Sequence, residues 1–181
     1  MSDTDNFQSE ILLSICVAIY NIKEEFLRTC IESITADMSA GAELILGDDC
    51  SNEKTAEICR EYAEKNYRIR YVRPEKNGGV SYIRNVMINR AKGKMITFID
   101  GDDIAVNGYS AALCSAFDSS DREYDIVMFR WQRFESIVPN IKIEDGKITA
   151  IPQSAAQRFS QACLTGAPPN AKDYGICDST P

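Results

Sequence analysis

Two rhythms alternate along the chain. Residues 11–20, ILLSICVAIY, are almost all apolar and stop at Asn21, the pattern of a strand covered on both faces. In KEEFLRTCIESI the spacing changes: Leu27, Cys30, Ile31 and Ile34 fall at i, i+3, i+4 and i+7, which predicts one apolar stripe on a helix. AELILGDDCSN predicts a second strand, about Glu43 to Gly47, running into acids. Ser51 or Asn52 is then placed to cap a helix over 53–66, with Glu53 in its first turn and Ile58, Cys59 and Tyr62 on one face. RIRYVR is a short third strand and PEKNGG a loop. Gly78-Gly79 breaks the chain before a helix through VSYIRNVMINRA, which Gly93 is expected to end. KMITFID is the fourth strand. Beyond its acids a helix is expected over about 107–118 with Tyr109, Ala112, Leu113, Ala116 and Phe117 inward. YDIVMFRWQRF reads as a further strand, with Ile126, Met128 and Arg130 on one side and Val127, Phe129 and Trp131 on the other.

Strand and helix therefore alternate to about residue 134. Short loops between them require parallel strands with right-handed crossovers. The expected fold class is α/β, a three-layer α/β/α sandwich on a mostly parallel central sheet. Beyond it, VPNIKIEDGKITAI suggests a hairpin at Asp145-Gly146, PQSAAQRFSQACL a short helix, and the Pro- and Gly-rich end a tail.

Composition narrows the chemistry. The chain has 181 residues, 44% of them hydrophobic and 26% charged, as in an ordinary globular domain. The net charge of −7 disfavours a nucleic-acid partner and purely electrostatic attachment to a membrane. No apolar run is long enough for a transmembrane helix, and the polar, acidic start MSDTDNFQSE has no signal-peptide pattern. Seven cysteines without a CxxC spacing read as reduced and mostly buried, which suits a cytoplasmic chain, free or at the inner face of the membrane. Histidine is absent, which removes Ser-His-Asp and Cys-His schemes and most zinc sites. The chemistry must run on carboxylates, a metal ion, or both.

Ligands of open parallel sheets bind outside the carboxyl ends of the strands. Four features are expected there: Tyr20-Asn21, Asp48-Asp49, Asn77-Gly78-Gly79, and FIDGDD, where Asp100, Asp102 and Asp103 follow a buried strand. Carboxylate oxygens suit Mg²⁺ or Mn²⁺, and such an ion would neutralise the clustered charge; the competing reading makes one Asp a helix cap and the others solvated. Asp49 can accept hydrogen bonds from a nucleobase edge or a ribose, or cap the next helix. Tyr20 can stack on a base or be a half-buried core tyrosine. Gly78-Gly79 presents backbone N–H groups suited to an anion, or simply turns the chain. Arg84, about one turn into the next helix, either faces the cleft or is solvated. A dehalogenase-type phosphotransferase would want its acids on the first strand, and a P-loop is excluded because no GxxxxGK[ST] occurs.

Together these segments resemble the family 2 glycosyltransferases of GT-A fold. LSICVAIYN matches the family's opening VSVIIPxYN, Asp48-Asp49-Cys50-Ser51-Asn52-Glu53 its DDGSxD, Asn77-Gly78-Gly79 through Ile83-Arg84-Asn85 its N-x-G-x-x-x-ARN, and Gly93 through Asp103 its G-x-x-I-x-F-L-D-x-D-D. The four motifs occur in order over about residues 11–106. The resemblance implies transfer of a sugar from a nucleotide-sugar, most often UDP-linked, to a glycan or lipid-linked acceptor, usually with inversion, assisted by Mn²⁺ or Mg²⁺. By that resemblance Tyr20 packs on the base, Asp49 hydrogen-bonds it, and Arg84 lies near base or phosphates. Asp100 and Asp102 form the DxD for ribose and metal, and Asp103 is a further metal ligand. Ala18, Asn21, Asn77, Gly79 and Gly101 complete the donor-binding set. The expected division is a disordered N-terminus over 1–10, the nucleotide-sugar-binding domain over 11–135, and over 136–181 part of an acceptor side and a tail, truncated. Ala18 stands where the family has Pro, Cys50 where it has Gly and Glu53 where it has Asp. No convincing later Glu-Asp pair supplies the general base, so that role is unassigned. The alternative is a truncated or degenerate domain that holds a nucleotide or a partner without turnover.

Overall fold

The structure, a computed structural model, describes residues 10–118. The strand expected at YDIVMFRWQRF, the Asp145-Gly146 hairpin and the helix in PQSAAQRFSQACL lie outside the described residues.

Four strands and four helices alternate: β1 Leu13–Ile19, α1 Glu24–Thr35, β2 Ala42–Asp48, α2 Glu53–Lys65, β3 Ile69–Val72, α3 Val80–Ile88, β4 Met95–Asp100 and α4 Tyr109–Asp118. The strands form one parallel sheet in the order β3-β2-β1-β4. β1 and β2 at its centre are buried on both faces, which is why they read as continuous apolar runs. The pleat divides their side chains. Leu13, Ile15, Val17 and Ile19 of β1, with Leu44 and Leu46 of β2, meet Leu27, Cys30, Ile31 and Ile34 of α1 and Ile58 and Cys59 of α2. Cys16 and Ile45 face the other way, onto Ile83 and Met87 of α3. Helices thus cover both faces, as the expected three-layer sandwich requires.

α3 sits close because β2 has Gly47 beneath it: a Cβ there would come within 2.4 Å of Met87 Sδ. The polar start of the sheet is satisfied internally. Buried Glu43, beside Ser14 on β1, accepts the Ser14 hydroxyl at 2.7 Å, the Lys92 N–H at 2.7 Å and Arg70 Nη1 at 3.3 Å.

Two local expectations are corrected. α3 ends at Ile88 with Asn89 as its cap, before Gly93. Gly93 instead packs on the start of β1, where a Cβ would come within 2.5 Å of the Ser14 nitrogen, and its N–H donates to Ser14 Oγ. In α4, Ala112 is exposed, and Ser110 and Cys114 face inward. The reason is polar: Ser110 Oγ accepts the Ser39 N–H at 2.8 Å and donates to the Asp37 carbonyl at 3.3 Å, which sets the rotation of the helix.

Candidate functional site

The parallel register collects the chemistry at one edge. Ala18 pairs with Asp100, and Ile19 with Asp48, so β1, β2 and β4 end side by side. Their ends, with the start of α3, enclose a cleft of about 380 Å³ lined by Ala18, Tyr20, Asp49, Asn77, Gly79, Asp100, Gly101 and Asp102, with Ile19, Ile22, Val80 and Ile83 as its apolar wall. Tyr20 stands 55% exposed at this wall, free to cover a flat ligand.

The two acids ending β2 have different jobs. Asp48 is fully buried and structural. It accepts the Ser51 N–H at 2.7 Å, the Tyr71 hydroxyl at 2.7 Å and Arg73 Nη1 at 2.6 Å, while Arg73 Nη2 donates to the Ser51 carbonyl. Burial, then the hydrogen bond it donates to Asp48, pushes the Tyr71 phenol up to about 12. Ser51, held this way, accepts the Asn21 N–H at 3.0 Å, and Asn21 Oδ1 accepts both N–H groups of Asn52. Asn21, in the left-handed region at φ 51°, therefore straps the β1–α1 loop to the β2–α2 loop and does not line the cleft. Asn52 also caps α2 through the Thr55 N–H.

Asp49 does line the cleft. It is buried, and its two oxygens accept the Gly78 N–H at 2.9 Å and the Gly79 N–H at 2.6 Å. Asn77 Nδ2 donates to the Asp49 carbonyl. The backbone donors expected to cradle a ligand's anion thus hold Asp49 instead, at the positive end of α3. Both glycines are needed, for different reasons. A Cβ on Gly78 would come within 2.3 Å of the Tyr82 ring, and Gly79 has φ 82° with open space around it. Gly79 needs the conformational freedom and Gly78 the room.

FIDGDD turns sharply at Gly101, whose N–H donates to the Ala18 carbonyl at 3.0 Å. A Cβ at Gly101 would meet that same oxygen and Ile22 Cγ1 at 3.2 Å, so a side chain between the first two acids requires these neighbours to give by a few tenths of an ångström. Asp100 pairs with Arg84, whose Nη2 lies 2.8 Å from Asp100 Oδ1 and whose guanidinium stacks 5.5 Å from the Phe98 ring centre. Arg84 and Asp103 do not line the cleft, whereas Asp102 does. Among the described residues no cation pairs with the carboxylates of Asp102 and Asp103. Asp103's carboxyl is pushed up from its ordinary range, first by partial burial and then by the charges of Asp100 and Asp102.

None of the described cysteines lines the cleft, although Cys30 Sγ lies 3.6 Å from the Asp100 carbonyl. Cys16, Cys30, Cys59 and Cys114 are buried, and burial pushes the first three thiols up to about 12. Cys50, in the left-handed region at φ 61°, occupies a turn position that suits Gly.

The glycosyl transferase family 2 model matches residues 14–161. The chain belongs to this family. Glycosyltransferase GlyA of Streptococcus pneumoniae is 35% identical over 101 residues, which is 56% of this chain and 14% of GlyA. The uncharacterized glycosyltransferase EpsJ of Bacillus subtilis is 35% identical over 116 residues, 64% of this chain and 33% of EpsJ. The crystal structure of S. aureus TarS 1–349 in complex with UDP-GlcNAc matches with a TM-score of 0.54 and 26% identity, covering 60% of this chain and 31% of that one. The chain thus spans a third or less of each of these proteins. The solved neighbours carry the GT-A fold, and the sheet and helices described above match part of it. Among the described residues no helix is long and apolar enough to cross a membrane.

The family implies a divalent cation, and the donor set suits one. Among the described residues no three His, Cys, Asp or Glu side chains converge on a point, so a closed protein cage is excluded there. Mg²⁺ and Mn²⁺ need less: one or two carboxylates, completed by water and phosphate. With Asp100 paired, Asp102 at the cleft and Asp103 next to it in sequence are two carboxylates without a cation partner among the described residues, which is that minimal set.

Proposed function

We propose that this glycosyltransferase-family domain binds a nucleotide-sugar, UDP-linked, in the cleft at the carboxyl edge of the sheet and transfers its sugar to a glycan or lipid-linked acceptor with inversion. The observation that carries this reading is the convergence of Tyr20, Asp49, Asp100 and Asp102 on one cleft. Tyr20 covers one face of the base. Asp49, anchored by Gly78 and Gly79, is an acceptor-only group, so it selects a base edge that donates an N–H, as uracil N3 does. Ala18, Asn77, Gly79 and Gly101 shape the wall, and Asp100 accepts a ribose hydroxyl. Asp102 and Asp103 would hold Mn²⁺ or Mg²⁺, whose charge stabilises the departing diphosphate when bound. In the transfer, the acceptor oxygen bonds to the anomeric carbon as the bond from that carbon to the diphosphate oxygen breaks. The acceptor proton goes to a base that is not among the cleft-lining residues named above. The S. aureus TarS complex with UDP-GlcNAc supports the nucleotide class.

A panel of UDP-, GDP-, CDP- and ADP-sugars, read by ligand-observed NMR with Mn²⁺ replaced by Mg²⁺, tests it. Saturation transfer to the UDP-sugars, lost in Tyr20→Ala, is expected. Equal signal from CDP- and UDP-sugars would remove the base assignment. Binding of the donor with no transfer to any acceptor would favour the nucleotide-holding module.

A further inference from the structure

Phe98 and Asp100 point to the same face of β4, two residues apart, and α3 lays Arg84 across both. The contact with Asp100 is a single N–H to a single oxygen. Arg84 Nε is buried and has no partner among the described residues, and Asp100 Oδ2 makes no hydrogen bond there. Asp100 and Asp102 line the cleft and Arg84 does not. Arg84 therefore sits behind Asp100, where it sets that carboxylate's orientation without facing the ligand.

We propose that Arg84 is a positioning residue acting through Asp100. It ties the first of the three acids back, so that Asp100 offers one free oxygen to a nucleotide hydroxyl and does not join Asp102 and Asp103 around a cation. This inference rests on the proposed nucleotide-sugar site. It predicts effects of opposite sign. Without the guanidinium the cluster carries one more uncompensated negative charge and a third mobile carboxylate, so it attracts a bare divalent cation more strongly. The same change leaves Asp100 poorly placed for the nucleotide. A residue needed only for folding would weaken both interactions together.

The experiment measures, on the full chain, Mn²⁺ alone by electron paramagnetic resonance titration and UDP at saturating Mn²⁺ by calorimetry. In Arg84→Gln, Mn²⁺ alone should bind roughly threefold to tenfold tighter, from one added charge a few ångströms away at high effective dielectric. UDP should bind about tenfold weaker, the scale of one charge-assisted hydrogen bond. Arg84→Lys, which keeps the charge without the stacking plane, should leave Mn²⁺ binding near the parent value and weaken UDP; it carries the test should the Gln variant not fold. In an Asp100→Asn background, Arg84→Gln should no longer change UDP affinity, because the residue through which it acts is gone, and should leave only the direct charge effect on Mn²⁺. Parallel losses in both titrations, or an undiminished Arg84→Gln effect on UDP in that background, would overturn the proposal. A parent chain that binds neither Mn²⁺ nor UDP would overturn the function reading itself, and this inference with it.

Discussion

Replacing Asp49 by Asn keeps the shape of the side chain and removes its second acceptor. In the parent, Oδ1 takes the Gly78 N–H at 2.9 Å and Oδ2 the Gly79 N–H at 2.6 Å, in a buried position. An amide placed there turns an NH₂ toward one of those backbone donors whichever way it is flipped. One charge-assisted bond, about 1.5–3 kcal/mol, is lost, and the other drops to the neutral scale near 1 kcal/mol. The sum is roughly 2–5 kcal/mol. For a chain of this length each kcal/mol moves the melting temperature by about 2–4 °C, so Asp49→Asn should melt roughly 4–20 °C lower. Far-UV circular dichroism melts and urea midpoints measure this. Amide exchange adds a local readout, because the Gly78 and Gly79 N–H groups should lose protection first. A variant melting within about 1 °C of the parent, with both amides still protected, would refute the claim that Asp49 anchors the loop ahead of α3.

Three further outcomes follow from the geometry. Asp48→Asn should cost about 2–4 kcal/mol by urea denaturation, less than a wholly buried pair because Arg73 is partly open to water; a cost below about 1 kcal/mol would deny the ion pair its structural role. Gly101→Ala should cost about 1–2 kcal/mol and weaken UDP binding beyond that, because relief of the 3.2 Å contact with the Ala18 carbonyl moves Asp100 and Asp102; calorimetry showing parent affinity would contradict it. In the metal-free protein, Asp103 should titrate above the ordinary aspartate value of 3.8 and move down in Asp102→Asn. A raised folded-state value means that the fold favours the protonated form, so this contribution to stability is present at low pH and fades as pH rises through the raised value. Carboxyl-carbon NMR checks it, and titration below 3.8 would contradict it.

Periodicity alone located the α1 stripe Leu27, Cys30, Ile31 and Ile34, the double-sided burial of β1, and a cap at Ser51 or Asn52, because each depends on neighbours within about one helical turn or one pleat. It missed the rotation of α4, since no hydrophobic pattern encodes the hydrogen bonds of Ser110 to residues more than 70 positions away. The same limit applies at the cleft. Asp48 and Asp49 are adjacent and identical in sequence, and only the partners 23 to 30 residues away make one a buried strut and the other a cleft wall. Gly78-Gly79 was legible as an anion cradle, but the anion it holds is the protein's own. Arg84 was legible as a residue near the cleft; its place behind Asp100 depends on the packing of α3 across β4.

The central claim is that FIDGDD and Asp49 form one donor site that a cation completes. Calorimetric titration of UDP into the full chain, with and without Mn²⁺, and into Asp102→Ala with Mn²⁺, tests it most directly. The account predicts binding that depends on Mn²⁺, weakens as pH falls below about 5 because protons compete for the carboxylates, and is lost in Asp102→Ala. Absence of UDP binding, or binding unchanged in Asp102→Ala, would contradict it.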